Sequence, residues 1–163
     1  MRKLFLLLMI LPISCFGQTA EEFYNKGRSY YKLQNYHAAI DVYTKAISLD
    51  LNIAKVYSNR GIAYGMLGKY ELAIDDFTKS IRIDPNYLFA YTNRGRAYYY
   101  LESYENAITD YNIAIEIDPN NANTYRDRGV AKEEFGLNYC SDYESACALG
   151  YRDCCVWYND QCR

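Results

Sequence analysis

Residues 54–87 read AKVYSNRGIAYGMLGKYELAIDDFTKSIRIDPNY, and residues 88–121 read LFAYTNRGRAYYYLESYENAITDYNIAIEIDPNN. Tyr57, Arg60, Gly61, Tyr64, Tyr70, Ala73, Phe77 and Pro85 return 34 positions later as Tyr91, Arg94, Gly95, Tyr98, Tyr104, Ala107, Tyr111 and Pro119. Self-similarity at this period marks a stacked array, because one such unit cannot bury its apolar face alone. Within each copy, apolar residues recur at helical spacing twice: Tyr57, Gly61 and Tyr64, then Leu72, Ala73, Phe77 and Ile81. Each copy is therefore a pair of antiparallel helices.

The glycine at 68 follows the first apolar run and suits the left-handed conformation that ends a helix. Gln34 and Glu102 stand at that place in neighbouring copies, so those turns must close without glycine. Pro85 and Pro119 stop the second helices by pushing the preceding residue out of the helical region. Gly61 with Ala73, Gly95 with Ala107 and Gly27 with Ala39 place small residues where paired helices approach closely. Tyr64, Tyr98, Phe77 and Tyr111 lie on the apolar stripe and read as core.

Counting back from Ala54 gives a first unit at 20–53, with Phe23, Gly27, Tyr30, Tyr36, Ala39, Tyr43 and Ala46 in place and a mismatch at Leu51. Counting forward from 54–87 and 88–121 gives a fourth unit at 122–149, carrying Tyr125, Arg128, Gly129 and Gly136. This last unit is two residues short, because Gly129 to Tyr143 spans 14 positions where Gly61 to Phe77 spans 16. The missing pair falls in the turn around Leu137 and Asn138. Residues 150–163 remain as a closing helix.

The chain begins with Arg2 and Lys3, an apolar run from Leu4 to Ile13, and a small or polar stretch to Gln18. Residues 1–17 read as a secretory signal peptide with cleavage after Gly17, and the apolar run is too short for a membrane span. The mature protein is then periplasmic or secreted. The alternative is lipidation at Cys15, after Pro12, Ile13 and Ser14, which would anchor it to a membrane. Of 163 residues half are apolar and 23% charged, with a formal net charge of -2. No basic run gathers phosphates, so nucleic acid is not an expected partner. Tyrosine is abundant at 20 residues, and its amphipathic ring serves a helix interface or a wet binding face.

The repeated aromatic, Gly, Tyr, Ala, aromatic, Ala, Pro order resembles the tetratricopeptide repeat over nearly all of the mature chain. The Tyr-x-Asn-Arg-Gly runs at Tyr57–Gly61 and Tyr91–Gly95, with the cysteine-bearing tail, are similar to exported tetratricopeptide proteins of Gram-negative bacteria with Bacteroidetes-like signals. The resemblance implies an all-α, right-handed α-solenoid whose first helices line a concave groove for a peptide or a partner's helix. In the first unit that face is Glu21, Tyr24, Asn25, Arg28, Tyr31 and Lys32; in the second it is Lys55, Ser58, Asn59, Ile62, Gly65 and Met66. In the third it is Phe89, Thr92, Asn93, Arg96, Tyr99 and Tyr100, and the fourth adds Asn123, Arg126, Asp127, Val130, Glu133 and Glu134. Such a groove stacks on side chains and holds carbonyls or a carboxylate through Arg28, Arg96 and the series Asn25, Asn59 and Asn93. The family's carboxylate clamp does not carry over, because Ser58 with Ile62 and Thr92 with Arg96 stand where it needs Lys and Asn.

Past the signal, five cysteines fall in the last 24 residues, at 140, 147, 154, 155 and 162. Export makes disulfides the default. Cys140 and Cys147 share a helix face but lie about 10 Å apart along it, too far to bond each other. If the chain turns back at Gly150, Cys140 faces Cys162 and Cys147 faces Cys155, leaving Cys154 odd. Cys154 then replaces Cys155, pairs between chains, or stays buried and free. A zinc site competes poorly, since the spacings are 7, 7, 1 and 7 and the only histidine is His37. Redox catalysis lacks a Cys-x-x-Cys.

Once signal, repeats and cap are assigned, no residues remain for a catalytic domain, and no phosphate loop or nucleophile elbow occurs. The expected function is a binding or scaffold module, not an enzyme, with a protein or peptide partner and no cofactor. A self-associating structural protein is one alternative. A cryptic enzyme using Asp75 with Asp76 or Glu133 with Glu134 is another, although adjacent acids on a helix point about 100 degrees apart and read as a solvated face.

Overall fold

The computed structural model describes residues 19–49 and 53–162. The export segment 1–17, the lipidation site at Cys15 and the mismatch at Leu51 lie outside them. The described residues form helices α1 (Ala20–Lys32), α2 (Tyr36–Ser48), α3 (Ala54–Met66), α4 (Tyr70–Ile83), α5 (Leu88–Tyr100), α6 (Tyr104–Ile117), α7 (Ala122–Glu134), α8 (Cys140–Ala148) and α9 (Arg152–Gln161). Each helix packs on its predecessor and its successor. Odd-numbered helices also touch, α1 on α3, α3 on α5 and α5 on α7. That is an α-solenoid of antiparallel helix pairs, with odd helices forming one layer and even helices the other.

Local chemistry sets the helix ends. Thr19 caps α1 in a reciprocal box with Glu22, and the Asn35 and Asn121 side chains accept from Ala38 and Thr124 amides at the starts of α2 and α7. Asp84 and Asp118 leave the helical region before Pro85 and Pro119, and their carboxylates accept from the amides of Asn86 and Asn120 at 3.0 Å each. Residues 34, 68, 102 and 136 all have positive φ. Glycine supplies this at 68 and 136, whereas Gln34 and Glu102 adopt φ of 58° and 57° with a side chain attached. The turns without glycine thus keep the same backbone and carry the strain.

The two layers meet through a ring set against a bare backbone. A Cβ on Gly61 would stand 2.9 Å from Phe77 Cε1, and one on Gly95 would stand 2.7 Å from Tyr111 Cε1. Gly129 meets Tyr143 at 2.6 Å, and Gly27 meets Tyr43 in the same way. The partner of each glycine is therefore the aromatic residue of the following helix. Each ring also packs on a buried alanine of its own helix and one from the next hairpin: Tyr43 on Ala39 and Ala63, Phe77 on Ala73 and Ala97, Tyr111 on Ala107 and Ala131.

A polar brace runs beside this core. Arg60 donates to both oxygens of Asp76 at 2.7 Å and to Thr44 Oγ1 at 2.9 Å. Arg94 repeats the arrangement on Asp110 and Thr78, whereas Arg128 donates through two nitrogens to Asp142 Oδ1, whose Oδ2 pairs with Lys132, and also donates to Asn112. Each guanidinium thus ties its own hairpin to the one before. Burial alone would lower Arg60 and Arg94, but the bonds and charge of their aspartates outweigh it and hold both above the usual guanidinium value. Asp76 is 2% exposed, which corrects the reading of Asp75 and Asp76 as one solvated face: only Asp75 is exposed.

The fourth hairpin is shortened at its turn, around Leu137 and Asn138. Its connection, residues 135–139, is nonetheless longer than the three-residue links inside the other hairpins, and α8 has 9 residues against 13 in α2. Helix α8 starts four residues after the positive-φ Gly136, whereas α2, α4 and α6 start two residues after Gln34, Gly68 and Glu102. Helix α9 then packs on α8, tied by disulfides Cys140–Cys162 and Cys147–Cys155 with Cα atoms 5.6 and 4.8 Å apart. Cys154 is free and buried against Tyr143 and Ala146, in the place that Ala63, Ala97 and Ala131 fill on the earlier rings. Burial pushes its thiol above the ordinary value, so it serves as a small apolar side chain.

Three outcomes follow from this packing. Replacing Gly95 by Ala overpacks the Tyr111 ring and destabilises by about 1–3 kcal/mol, whereas Gly65→Ala meets nothing within 4 Å and gains helix propensity, raising the denaturation midpoint. Relieving the strained turn with Glu102→Gly raises stability by roughly 1 kcal/mol in urea titrations. The pair Cys147→Ala with Cys155→Ala loses about 2–4 kcal/mol, while Cys154→Ala costs under about 1.5 kcal/mol in the same titration.

Candidate functional site

Side chains of the odd-numbered helices line four shallow cavities laid end to end. The first is walled by Arg28, Tyr31, Lys32, Tyr43, Asn59 and Ile62. The second, about 510 Å³, runs from Tyr31 and Ile62 past Met66, Tyr70 and Asn93 to Arg96 and Tyr100. The third holds Arg96, Tyr99, Tyr100, Tyr111, Arg126, Asp127 and Val130. The fourth, about 370 Å³, lies between Arg126, Val130, Glu133 and Glu134 of α7, Tyr143 of α8 and Asp153, Cys154 and Trp157 of α9, with Tyr151 at the turn. Neighbouring cavities share Tyr31 and Ile62, then Arg96 and Tyr100, then Arg126 and Val130, so they form one trough.

The trough brings together Arg28, Tyr31, Asn59, Ile62, Met66, Asn93, Arg96, Tyr99, Tyr100 and Arg126. Tyr24, Asn25, Lys55 and Phe89 line none of these cavities. Tyr24 packs at 6.1 Å on Tyr43 and accepts a hydrogen bond from Asn59 at 3.2 Å; Phe89, 58% exposed, tilts against Tyr87. Asn25 and Lys55 are exposed on their helices. Ser58 and Thr92, placed on this face by the repeat pattern, are buried.

The polar groups are already engaged in ways their spacing does not reveal. Asn25, Asn59 and Asn93 donate to Glu21, Tyr24 and the Phe89 carbonyl. Arg96 donates to Asp127 Oδ2 at 2.7 Å, and Arg126 pairs with Asp127 Oδ1 at 2.8 Å. Two guanidinium groups therefore share one carboxylate that is 8% exposed, leaving a single net positive charge. Desolvation would lower Arg96, but Asp127 outweighs it and keeps the group above its usual value. Arg28 lies over the Tyr24 ring at 5.8 Å, with no acid in ion-pair range among the described residues. Burial, then Glu134, raises the Tyr99 hydroxyl.

The floor is aromatic. Tyr70 stacks on Tyr100 at 4.9 Å and 11°, and Tyr99 meets both Tyr100 and Tyr104. Tyr70, from an even-numbered helix, and Tyr151, Asp153 and Trp157, from the cap, are walls that the repeat pattern alone does not assign to the trough. The chain's one tryptophan in the closing helix was the available signal. Glu133 and Glu134 do not converge: Glu133 accepts from the Tyr143 hydroxyl at 2.9 Å, while Glu134 is exposed.

A family model described as Tetratricopeptide repeat matches residues 54–87, and one described as TPR repeat matches 27–68 and 95–136. Among solved structures, the first TPR of Spaghetti (RPAP3) bound to HSP90 peptide SRMEEVD is 31% identical, over 73% of this chain and 94% of that one, with a TM-score of 0.71. The second TPR domain of human RPAP3, in complex with HSP70 peptide SGPTIEEVD, is 30% identical over 69% and 94%, with a TM-score of 0.67. MamA is 26% identical over 82% and 80%, with a TM-score of 0.78. A search of curated protein sequences found no match.

Proposed function

The chain belongs to the tetratricopeptide repeat family, with the right-handed superhelix of helix hairpins that membership implies, and from that premise we propose that its trough binds a peptide or a partner's helix. The observation that carries this reading is the unbroken aromatic and polar wall from Arg28 to Arg126, open to solvent along its length. Similar repeats hold peptides in the two RPAP3 structures. Rings such as Tyr31, Tyr99 and Tyr100 supply contact area at low entropic cost, and Arg28 and Arg96 orient polar groups of the guest. The role is that of a scaffold, with no chemistry of its own.

We place this module outside the cytoplasm. Two disulfides in the tail suit an oxidising compartment, and residues 1–17 have the pattern of an export signal. No helix among the described residues is long and apolar enough to cross a membrane. Attachment through Cys15 would add a lipid anchor, leaving the trough unchanged.

Crosslinking pull-down from envelope fractions tests the reading. Wild type is compared with Arg28→Ala, Arg96→Ala and Tyr99→Ala, with helicity followed by circular dichroism. Capture of a partner falls about tenfold or more in the variants at unchanged helicity. Full capture by all three would move the binding face elsewhere, and capture of only the chain itself would make it a self-associating protein.

A further inference from the structure

The far end of the trough differs in chemistry from the rest. There the cap closes a cavity whose walls are Trp157, Tyr143 and Tyr151, and whose rim carries Glu133, Glu134 and Asp153. Trp157 is 53% exposed and meets the Tyr143 ring edge-on at 6.2 Å and 78°. The Tyr143 hydroxyl donates to Glu133 at 2.9 Å and holds that carboxylate in place. Glu134 and Asp153 have no cation within ion-pair distance among the described residues.

The local charge is one-sided. Arg96 and Arg126 stand against Asp127, Glu133, Glu134 and Asp153, so two positive charges face four negative ones. Lys132, the other cation of this part of α7, points to Asp142 with Arg128 and adds nothing here. Arg126 itself shows what the walls accept: its guanidinium lies over the Tyr151 ring at 5.5 Å. No three carboxylate, cysteine or histidine groups converge on a metal position among the described residues, so the surplus charge suits an organic cation.

We propose that this cavity is a cation subsite that seats a basic side chain, an arginine above all, from the guest lying in the trough. The guanidinium plane stacks on the exposed face of Trp157 while Glu134 and Asp153 take its N–H donors. A lysine ammonium satisfies the same charge without the planar stack, so arginine is favoured. The inference rests on the trough being a binding surface and names the chemistry of its closed end. Cys147–Cys155 holds α9 in the position that makes the wall, which couples the subsite to the oxidised state of the cap.

Trp157 is the only tryptophan, so its emission under indole-selective excitation reports this cavity alone. The oxidised mature chain is titrated with acetyl-Gly-Arg-Gly-amide, and with the neutral isostere in which citrulline replaces arginine. The expected result is a saturable change with a dissociation constant near about 1 mM for arginine, and at least about tenfold weaker response to citrulline. The double variant Glu134→Gln with Asp153→Asn weakens the arginine response by about tenfold or more at unchanged helicity, and Asp75→Asn, at an exposed acid that lines none of the cavities, leaves it as in wild type. Equal responses to the two peptides, no saturation up to about 10 mM, or full binding by the double variant would each overturn the subsite. A failed pull-down with an intact arginine response would remove the trough reading and leave the subsite; the reverse result would do the opposite.

Discussion

The contact on which the rest of the molecule depends is an aromatic ring lying on a glycine backbone, made four times. Gly27, Gly61, Gly95 and Gly129 each leave room for the ring of Tyr43, Phe77, Tyr111 or Tyr143, at distances that a methyl group would violate. Close approach of the two helices in a hairpin follows from that missing Cβ. The ring then reaches past its own hairpin to an alanine of the next, so one contact sets both the width of a hairpin and its stacking. Tyrosine at three of these four positions is buried, which places part of the chain's tyrosine in the interior and leaves the remainder for the trough.

The Arg60, Arg94 and Arg128 braces act on the same joint from its polar side. Each links three helices across two hairpins through hydrogen bonds anchored on a buried aspartate, and so fixes the angle between neighbours where apolar packing alone would tolerate sliding. The curvature of the odd-helix layer, and hence the shape of the trough, follows from that angle. Over Tyr143 the covering element is a single helix in place of a hairpin. Helix α9 takes that place, with Cys154 as the small residue against the ring and two disulfides anchoring a helix of only 10 residues. The cap thereby finishes the core and builds the last wall of the trough.

The period of 34 residues carried nearly all of the fold, because glycine, ring and proline positions recur within each unit and depend only on local coil geometry. Legibility was lower at the site. Arg96 read as a free cation, yet its partner Asp127 stands 31 positions away on another hairpin. Asp75 and Asp76 read as equivalent, and only the sixteen-residue reach of Arg60 separates the exposed acid from the buried one. The regular Arg-to-Asp spacing was present in the sequence and signalled the brace. It acquires meaning only once the two helices are known to lie side by side.

From the sequence alone follow the helical hairpins, their number and their stacking, since these rest on which side chains recur and on turn residues that act over a few positions. Tertiary structure alone decides which charges are spent inside the protein and which face a guest. It also decides that the cap reaches the trough. The physical reason is range: coil formation and hairpin reversal are local, whereas burial, ion pairing and cavity shape depend on the distance between residues far apart in the chain.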